Sequence, residues 1–188
     1  MKSLIAFVIA AAVLFSGCRA PKPGAKAEPK PAEEPAGALT LTSSAFAEGQ
    51  PIPKKHSAYA ENLSPSLSWT NVPTGTKSFV LVCRDPGAPA GEFYHWGVFN
   101  IPVHVTMLAE GQPRTANLPN GALQTGNDFG RVGYDGPKPP SGEHQYFFDL
   151  YALDTTLGLD RASSAAALPR VVQGRILGQT WLMGTYKK

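Results

Sequence analysis

The stretch that most constrains the fold is residues 144–154, HQYFFDLYALD, because its side chains alternate over eleven positions. In such a pattern Tyr146, Phe148 and Leu150 lie on one face of the strand. Phe147, Asp149 and Tyr151 lie on the opposite face. A period of two over this length predicts a β-strand with at least one buried face.

The loop before this strand, residues 126–142, contains five glycines and three prolines, a composition typical of a rigid, turn-rich segment. His144 lies where the loop meets the strand. Because it is two residues before Tyr146, it shares the face that continues into the core. We therefore expect His144 at the mouth of the buried face.

The rest of the chain also reads mainly as strands. Apolar or alternating runs bounded by turn residues predict strands at 38–46, 67–73, 77–84 and 95–102. A helical pattern occurs only over 160–180, as an alanine-rich segment and a weak amphipathic helix limited by Gly174 and Gly178. Residues 181–186 read as a final strand or a helix end. The fold predicted is mostly β: an antiparallel two-sheet β-sandwich with a few short peripheral helices.

The N-terminus predicts export and a lipid anchor. Lys2 precedes a mostly apolar run from Leu4 to Phe15, which is too short to span a bilayer but suits a signal peptide over residues 1–17. The following FSGC resembles the lipobox of bacterial lipoproteins, so Cys18 is the expected lipidation site. Phe15 departs from that pattern, where leucine is usual. The alternative is an ordinary secretory peptide with an incidental cysteine.

Residues 18–38 are expected to form a tether between this anchor and a single domain over 39–188. The segment contains five prolines and almost no large apolar side chain, so it cannot bury a core. In an extended polyproline form it reaches up to about 60 Å.

Charge excludes one class of partner. Residues 39–188 hold 12 basic and 11 acidic residues, so the domain is close to neutral. A near-neutral domain lacks the basic stripe of a nucleic-acid-binding protein, and we expect no nucleic acid partner.

Cys83 is the one cysteine besides Cys18 and lies in the apolar run SFVLVCR, so we expect a buried, inert thiol.

Three polar residues stand at predicted junctions between strands and turns: Asp85, His95 and His144. Histidine rings oriented by a carboxylate, together with amides of the glycine-rich loop, can hold a phosphate or a carboxylate. A purely structural explanation stays open here: Asp85 caps its Asp-Pro turn and both histidines serve the fold. A metal site formed by the three with water is a further alternative.

The chain resembles the phosphatidylethanolamine-binding protein family, in particular its bacterial, Raf-kinase-inhibitor-like branch. The segments IPKKHSAYAENLSPSLSW, DPGAP, HWGVFNIP, GYDGPKPPSGEHQYFFDLYALD and ILGQTWLMGTY occur in the family's order and span nearly all of 39–188. The resemblance implies a β-sandwich with a small anion pocket and no metal or other cofactor. The implied ligand-binding residues are Asp85, His95, Gly136, Pro139, Pro140, His144 and Tyr146.

The sequence departs from the family pattern at the pocket rim. Gly87 stands where the family usually has a second aspartate, and Lys138 where the bacterial branch often has cysteine. An ammonium head group needs an anionic partner that Gly87 does not supply. We therefore predict that the pocket prefers a plain anion to phosphorylethanolamine.

The function predicted is that of a non-enzymatic binding protein of the cell envelope, anchored in a membrane by its N-terminal lipid and binding a small phosphate-like or carboxylate ligand. In a host with two membranes the protein would lie at the outer membrane or face the periplasm.

The alternative function is that of an inhibitor or partner of an envelope protease or other hydrolase, which the family's inhibitors of kinases and carboxypeptidases suggest. An enzyme using His144 or His95 as general base is not favoured, because the sequence shows no nucleophile and no oriented triad. No Gly-x-Ser-x-Gly elbow, P-loop or zinc spacing occurs either. Asp-Phe-Gly at 128–130 resembles a kinase motif without its companions and is interpreted as a turn.

Overall fold

The structure is a computed structural model that describes residues 38–159 and 163–188. The expected signal peptide, the lipidation site Cys18 and all but the last residue of the tether lie outside the described residues. No helix among the described residues is long and apolar enough to cross a membrane.

Eight strands among the described residues form two antiparallel sheets, and the two shortest, Met107–Leu108 and Leu123–Gln124, have no counterpart among the predicted strands. The eight strands are β1 Thr40–Ser43, β2 Leu67–Thr70, β3 Ser78–Asp85, β4 Phe93–Pro102, β5 Met107–Leu108, β6 Leu123–Gln124, β7 Glu143–Leu153 and β8 Ile176–Lys187. The small sheet has the order β1-β2-β5, and the large sheet has the order β6-β4-β3-β7-β8. The predicted class, a mostly β two-sheet sandwich, is confirmed.

The main core lies between the two sheets. Alternate residues of the central strands point inward, and β7 contributes Tyr146, Phe148 and Leu150 to a fully buried cluster. Trp69 of the small sheet packs edge-on against Phe79 of the large sheet, with ring centroids 5.4 Å apart. Burial of these large side chains is the main stabilising contribution to the fold, at about 25 cal/mol per Å² of apolar surface.

A second, smaller cluster covers part of the outer face of the large sheet. Val80 and Val82 of β3 pack there against Leu168, which opens the one-turn helix α1, Leu168–Val171, after a 3-10 turn at Ala165–Ala167. Gly97 allows this close approach, since a Cβ there would lie 2.9 Å from both Ala165 and Leu168. β3 is consequently buried on both faces, and Cys83 is buried and free as expected.

The helix predicted near the C-terminus is shorter than expected. It ends at Val171, and Gly174 follows with a φ of +76° that a right-handed helix does not allow. The extension of this helix as far as Gly178 is wrong, because β8 begins at Ile176 and pairs with β7. Cross-strand bonding to a long neighbour outweighs a weak local helical pattern.

Candidate functional site

The end of β3 and the start of β7 bring Asp85 and His144 into contact. Nδ1 of His144 lies 2.7 Å from Oδ2 of Asp85, and the second oxygen, Oδ1, accepts the amide N–H of Gly87 at 2.9 Å. Asp85 is only 3% exposed, so its carboxylate is committed to these two donors. Because a carboxylate accepts, Nδ1 carries the proton and Nε2 is left for a ligand.

His95, near the start of β4, is oriented in the same way by the backbone. Its Nδ1 donates to the carbonyl oxygen of Asp135 at 2.7 Å, and the ring is 3% exposed. Burial lowers the pKa of His95, although the carbonyls of Asp135 and Gly136 and the carboxylate of Asp85 oppose this shift. The ring is therefore neutral near pH 7, and its Nε2 donates to an anion only after taking up a proton.

Tyr146 supplies a third polar group next to the two histidines. Its hydroxyl is buried, and no donor or acceptor among the described residues reaches it with normal hydrogen-bond geometry. Burial, with the nearby Asp85 carboxylate, raises the pKa of Tyr146 far above its ordinary value, so the phenol stays protonated. The hydroxyl lies near the Asp85 carboxylate and the Lys138 backbone without a hydrogen bond of normal geometry to either, so it is available to a ligand in the cavity.

These groups line one cavity of about 240 Å³. Six of the seven predicted binding residues are in its wall: Asp85, His95, Pro139, Pro140, His144 and Tyr146. Gly136 is not. It packs behind the loop, against the 3-10 turn Lys54–His56, where a Cβ would overlap the carbonyl oxygen of His56. Gly136 thus serves the close packing of the loop that carries the two prolines.

One wall of the cavity is apolar, and sequence reasoning missed it. It is formed by Ala88, Pro89, Ala90, Phe93 and Phe129. Phe93 and Phe129 meet edge to face with centroids 4.8 Å apart, and both rings contact the His95 ring. Phe129 belongs to the Asp-Phe-Gly turn, which is a turn as expected but also places an aromatic ring at the cavity. No local signal distinguishes this phenylalanine from an ordinary turn residue.

Lys138 also lines the cavity and is exposed at its mouth. Gly87 lies outside this cavity, in an adjoining depression that includes Glu143 and His144.

A buried carboxylate, also missed at the sequence level, holds the loop that orients His95. Asp135 accepts hydrogen bonds from four side chains at 2.6–3.0 Å: Asn62, Arg114, Asn127 and Arg131. Burial raises the pKa of Asp135, but the amide donors of Asn127 and Asn62 and the two guanidinium groups outweigh this effect and hold it below its ordinary value. The ionised carboxylate therefore stabilises the loop whose carbonyl fixes the His95 ring.

The fold agrees with comparisons against known proteins. The profile of the phosphatidylethanolamine-binding protein family matches residues 42–187. The chain is 44% identical over 150 residues to a UPF0098 protein of Methanothermobacter thermautotrophicus, covering 80% of this chain and 99% of the relative. It is 42% identical over 137 residues to the UPF0098 protein YbhB of Escherichia coli, covering 68% and 87%.

Two solved structures have the same fold. A phosphatidylethanolamine-binding protein homologue from Chlamydia trachomatis superposes with a TM-score of 0.73 at 40% identity, over 81% of this chain and 99% of that one. Escherichia coli YbcL, described as a member of the mammalian family, superposes with a TM-score of 0.75 at 35% identity, over 80% and 98%. The chain belongs to the phosphatidylethanolamine-binding protein family.

Proposed function

We propose that this protein is a non-enzymatic binding protein that holds a small anionic or phosphorylated ligand in the cavity between the ends of β3, β4 and β7. The observation that carries the proposal is the buried, unpartnered hydroxyl of Tyr146 beside two histidine rings whose Nδ1 atoms are already engaged. All three groups then present their free polar atoms to one ligand. The Tyr146 hydroxyl donates to a phosphate or carboxylate oxygen as it stands, and the His95 ring donates to one after it takes up a proton at Nε2.

The composition of the cavity wall supports binding rather than catalysis. Asp85 and His144 have the arrangement of the base in a catalytic triad. Of the described residues that line the cavity, however, none is a serine, threonine or cysteine that this base would activate. The base and its orienting carboxylate then serve to hold a ligand.

The charges at the rim favour a plain anion over phosphorylethanolamine. Gly87 brings no carboxylate to an ammonium group, and Lys138 at the mouth repels one. We expect Gly87→Asp to shift the preference toward phosphorylethanolamine.

Calorimetric titration of the full-length protein with phosphate and with phosphorylethanolamine tests this proposal. Loss of a charge-assisted hydrogen bond is worth about 1.5–3 kcal/mol, so His144→Ala should weaken binding by about tenfold or more. His104→Ala is the matched control, because His104 is exposed and outside the cavity. Equal anion binding by the His144 variant and the wild type would count against the proposed anion site. Tighter binding of phosphorylethanolamine than of phosphate would count against the preference for a plain anion.

We also propose that the protein is anchored in the cell envelope by a lipid on Cys18, on the strength of the apolar run, FSGC and the proline-rich segment that follows. Metabolic labelling with a palmitate analogue tests this. Cys18→Ser should abolish the label and release the protein from membranes, whereas Cys83→Ser, at a buried thiol, should retain both. Unlabelled wild-type protein would refute the anchor.

A further inference from the structure

Two half-buried phenylalanines of the anion cavity, Phe93 and Phe129, belong to neither of the two hydrophobic clusters of the fold. Their rings meet edge to face in the cavity wall, and both contact the His95 ring, with centroids 5.1 Å and 5.5 Å from it. The rest of this wall is also apolar and consists of Ala88, Pro89 and Ala90. Aromatic surface that the core does not use is available to a ligand.

The turn that carries Phe129 is held in place by several contacts. The N–H of Phe129 donates to Oδ1 of Asn127 at 3.0 Å. Asp128 is bonded to Tyr94 twice, because its N–H donates to the Tyr94 carbonyl at 2.9 Å and its carboxylate accepts the Tyr94 N–H at 2.8 Å. The guanidinium of Arg131 lies 5.6 Å from the centroid of the Phe129 ring, within the range of a cation–π contact. The ring therefore has a fixed place in the wall, which lowers the ordering cost of binding a ligand.

The polar end of the cavity suits a ligand with a single negative charge. The Tyr146 hydroxyl donates as it stands, and the uptake of one proton makes the His95 ring a second donor and balances one negative charge. Pro139 and Pro140, which also line the cavity, have no N–H to offer. A carboxylate presents two oxygens to these two donors. A phosphate monoester brings a third oxygen and a second negative charge, which the buried Asp85 carboxylate opposes.

The size of the cavity suits a small ring. Its volume is about 240 Å³. An apolar cavity of about 150 Å³ is known to accommodate benzene, so the space here takes a benzene ring together with a carboxylate. The volume lies below the range of about 300–1,000 Å³ that is usual for drug-sized ligands.

We propose that this cavity binds an aromatic carboxylate, a ligand of the benzoate class. The ring of the ligand packs against Phe93 and Phe129. Its carboxylate accepts hydrogen bonds from Tyr146 and His95. This inference rests on the proposed anion-binding function and narrows it from anions in general to an apolar monoanion.

Calorimetric titration of the full-length protein near neutral pH with benzoate, acetate, phosphate and phenyl phosphate tests the proposal. Burial of the ring against the apolar wall should make benzoate bind about tenfold or more tightly than acetate. Benzyl alcohol, which has the ring but no charge, should bind about tenfold or more weakly than benzoate.

Phe129→Ala tests the wall, and Phe147→Ala is the matched control, because Phe147 is also half-buried but lies outside the cavity. The ratio of benzoate affinity to acetate affinity should fall about tenfold in the Phe129 variant and stay within about twofold of the wild type in the control. A general loss of stability would weaken the binding of both ligands and leave this ratio unchanged. The wild-type comparison of benzoate with acetate tests the proposal without any variant.

The inference alone is overturned, and the anion site stands, if benzoate binds no more tightly than acetate or if phenyl phosphate binds more tightly than benzoate. Benzyl alcohol binding as tightly as benzoate, or an unchanged affinity ratio in the Phe129 variant, also overturns it. If none of the four anions binds, the proposed anion-binding function is overturned together with it.

Discussion

Replacing Gly136 by alanine probes the packing that supports the anion cavity. A Cβ at this position would overlap the carbonyl oxygen of His56 and lie 2.8 Å from its carbonyl carbon and 3.0 Å from Cα of Ser57. All three atoms are backbone, so no side chain can rotate away. Gly136 has no positive φ, so the cost comes from this overlap and not from backbone conformation.

The magnitude follows from what holds the two backbones together. The carbonyl of His56 accepts the hydroxyl of Tyr134 at 2.9 Å, and the N–H of Gly136 donates to Asn62 at 2.7 Å. Overpacking costs about 1–3 kcal/mol, and loss of these two hydrogen bonds adds about 1 kcal/mol each. We expect Gly136→Ala to destabilise the protein by about 3–5 kcal/mol and to lower Tm by about 10 °C.

Urea and thermal unfolding, followed by the fluorescence of the buried Trp69 and Trp96, measure this change. Gly126→Ala is the matched control, since a Cβ there meets nothing within 4 Å and no positive φ is required. It should stay within about 0.5 kcal/mol of the wild type. If the two variants differ by less than about 1 kcal/mol, the role assigned to Gly136 is wrong.

Three further predictions follow from the site. Binding of an anion that does not itself titrate in this range, such as sulfate, should tighten from about pH 8 to about pH 5, because burial lowers the pKa of His95 and the bound ring must take up a proton. Calorimetry in buffers of different ionisation enthalpy measures the proton uptake, and a flat pH profile contradicts it. Tyr146→Phe should weaken anion binding by about tenfold yet change the free energy of unfolding by less than about 0.5 kcal/mol, since the lost hydroxyl makes no hydrogen bond of normal geometry although the Asp85 carboxylate is near. Marked destabilisation would show that a protein group holds it. Asp135→Asn should cost about 2 kcal/mol near neutral pH. The lowered pKa of Asp135 means that its contribution is full above the unfolded value near 3.9 and disappears as the pH falls through the folded value, so urea unfolding should show the difference from wild type narrowing in acid.

Three strands of the large sheet, β3, β4 and β7, were predictable because their signal is local, whereas the two-residue β6 was not predicted. Alternation in residues 144–154 reports burial of one face, and the runs at 77–84 and 95–102 correspond to β3 and β4. β8 was predicted only in part, because Gly178 and Gly184 weaken its pattern. Those glycines accommodate Pro73 and Ile52 from other segments, a requirement that no local window contains.

The sequence alone determined the order of strands and turns, and by resemblance it pointed to six residues that share one cavity. Only the tertiary structure decided that Phe93 and Phe129 form its apolar wall and that Asp135 anchors the loop behind His95. Strand alternation and turn-forming residues are local signals, because they depend on residues that are close together in the sequence. The cavity wall and the Asp135 network arise between segments tens of residues apart, where the packing of the two sheets sets the distances.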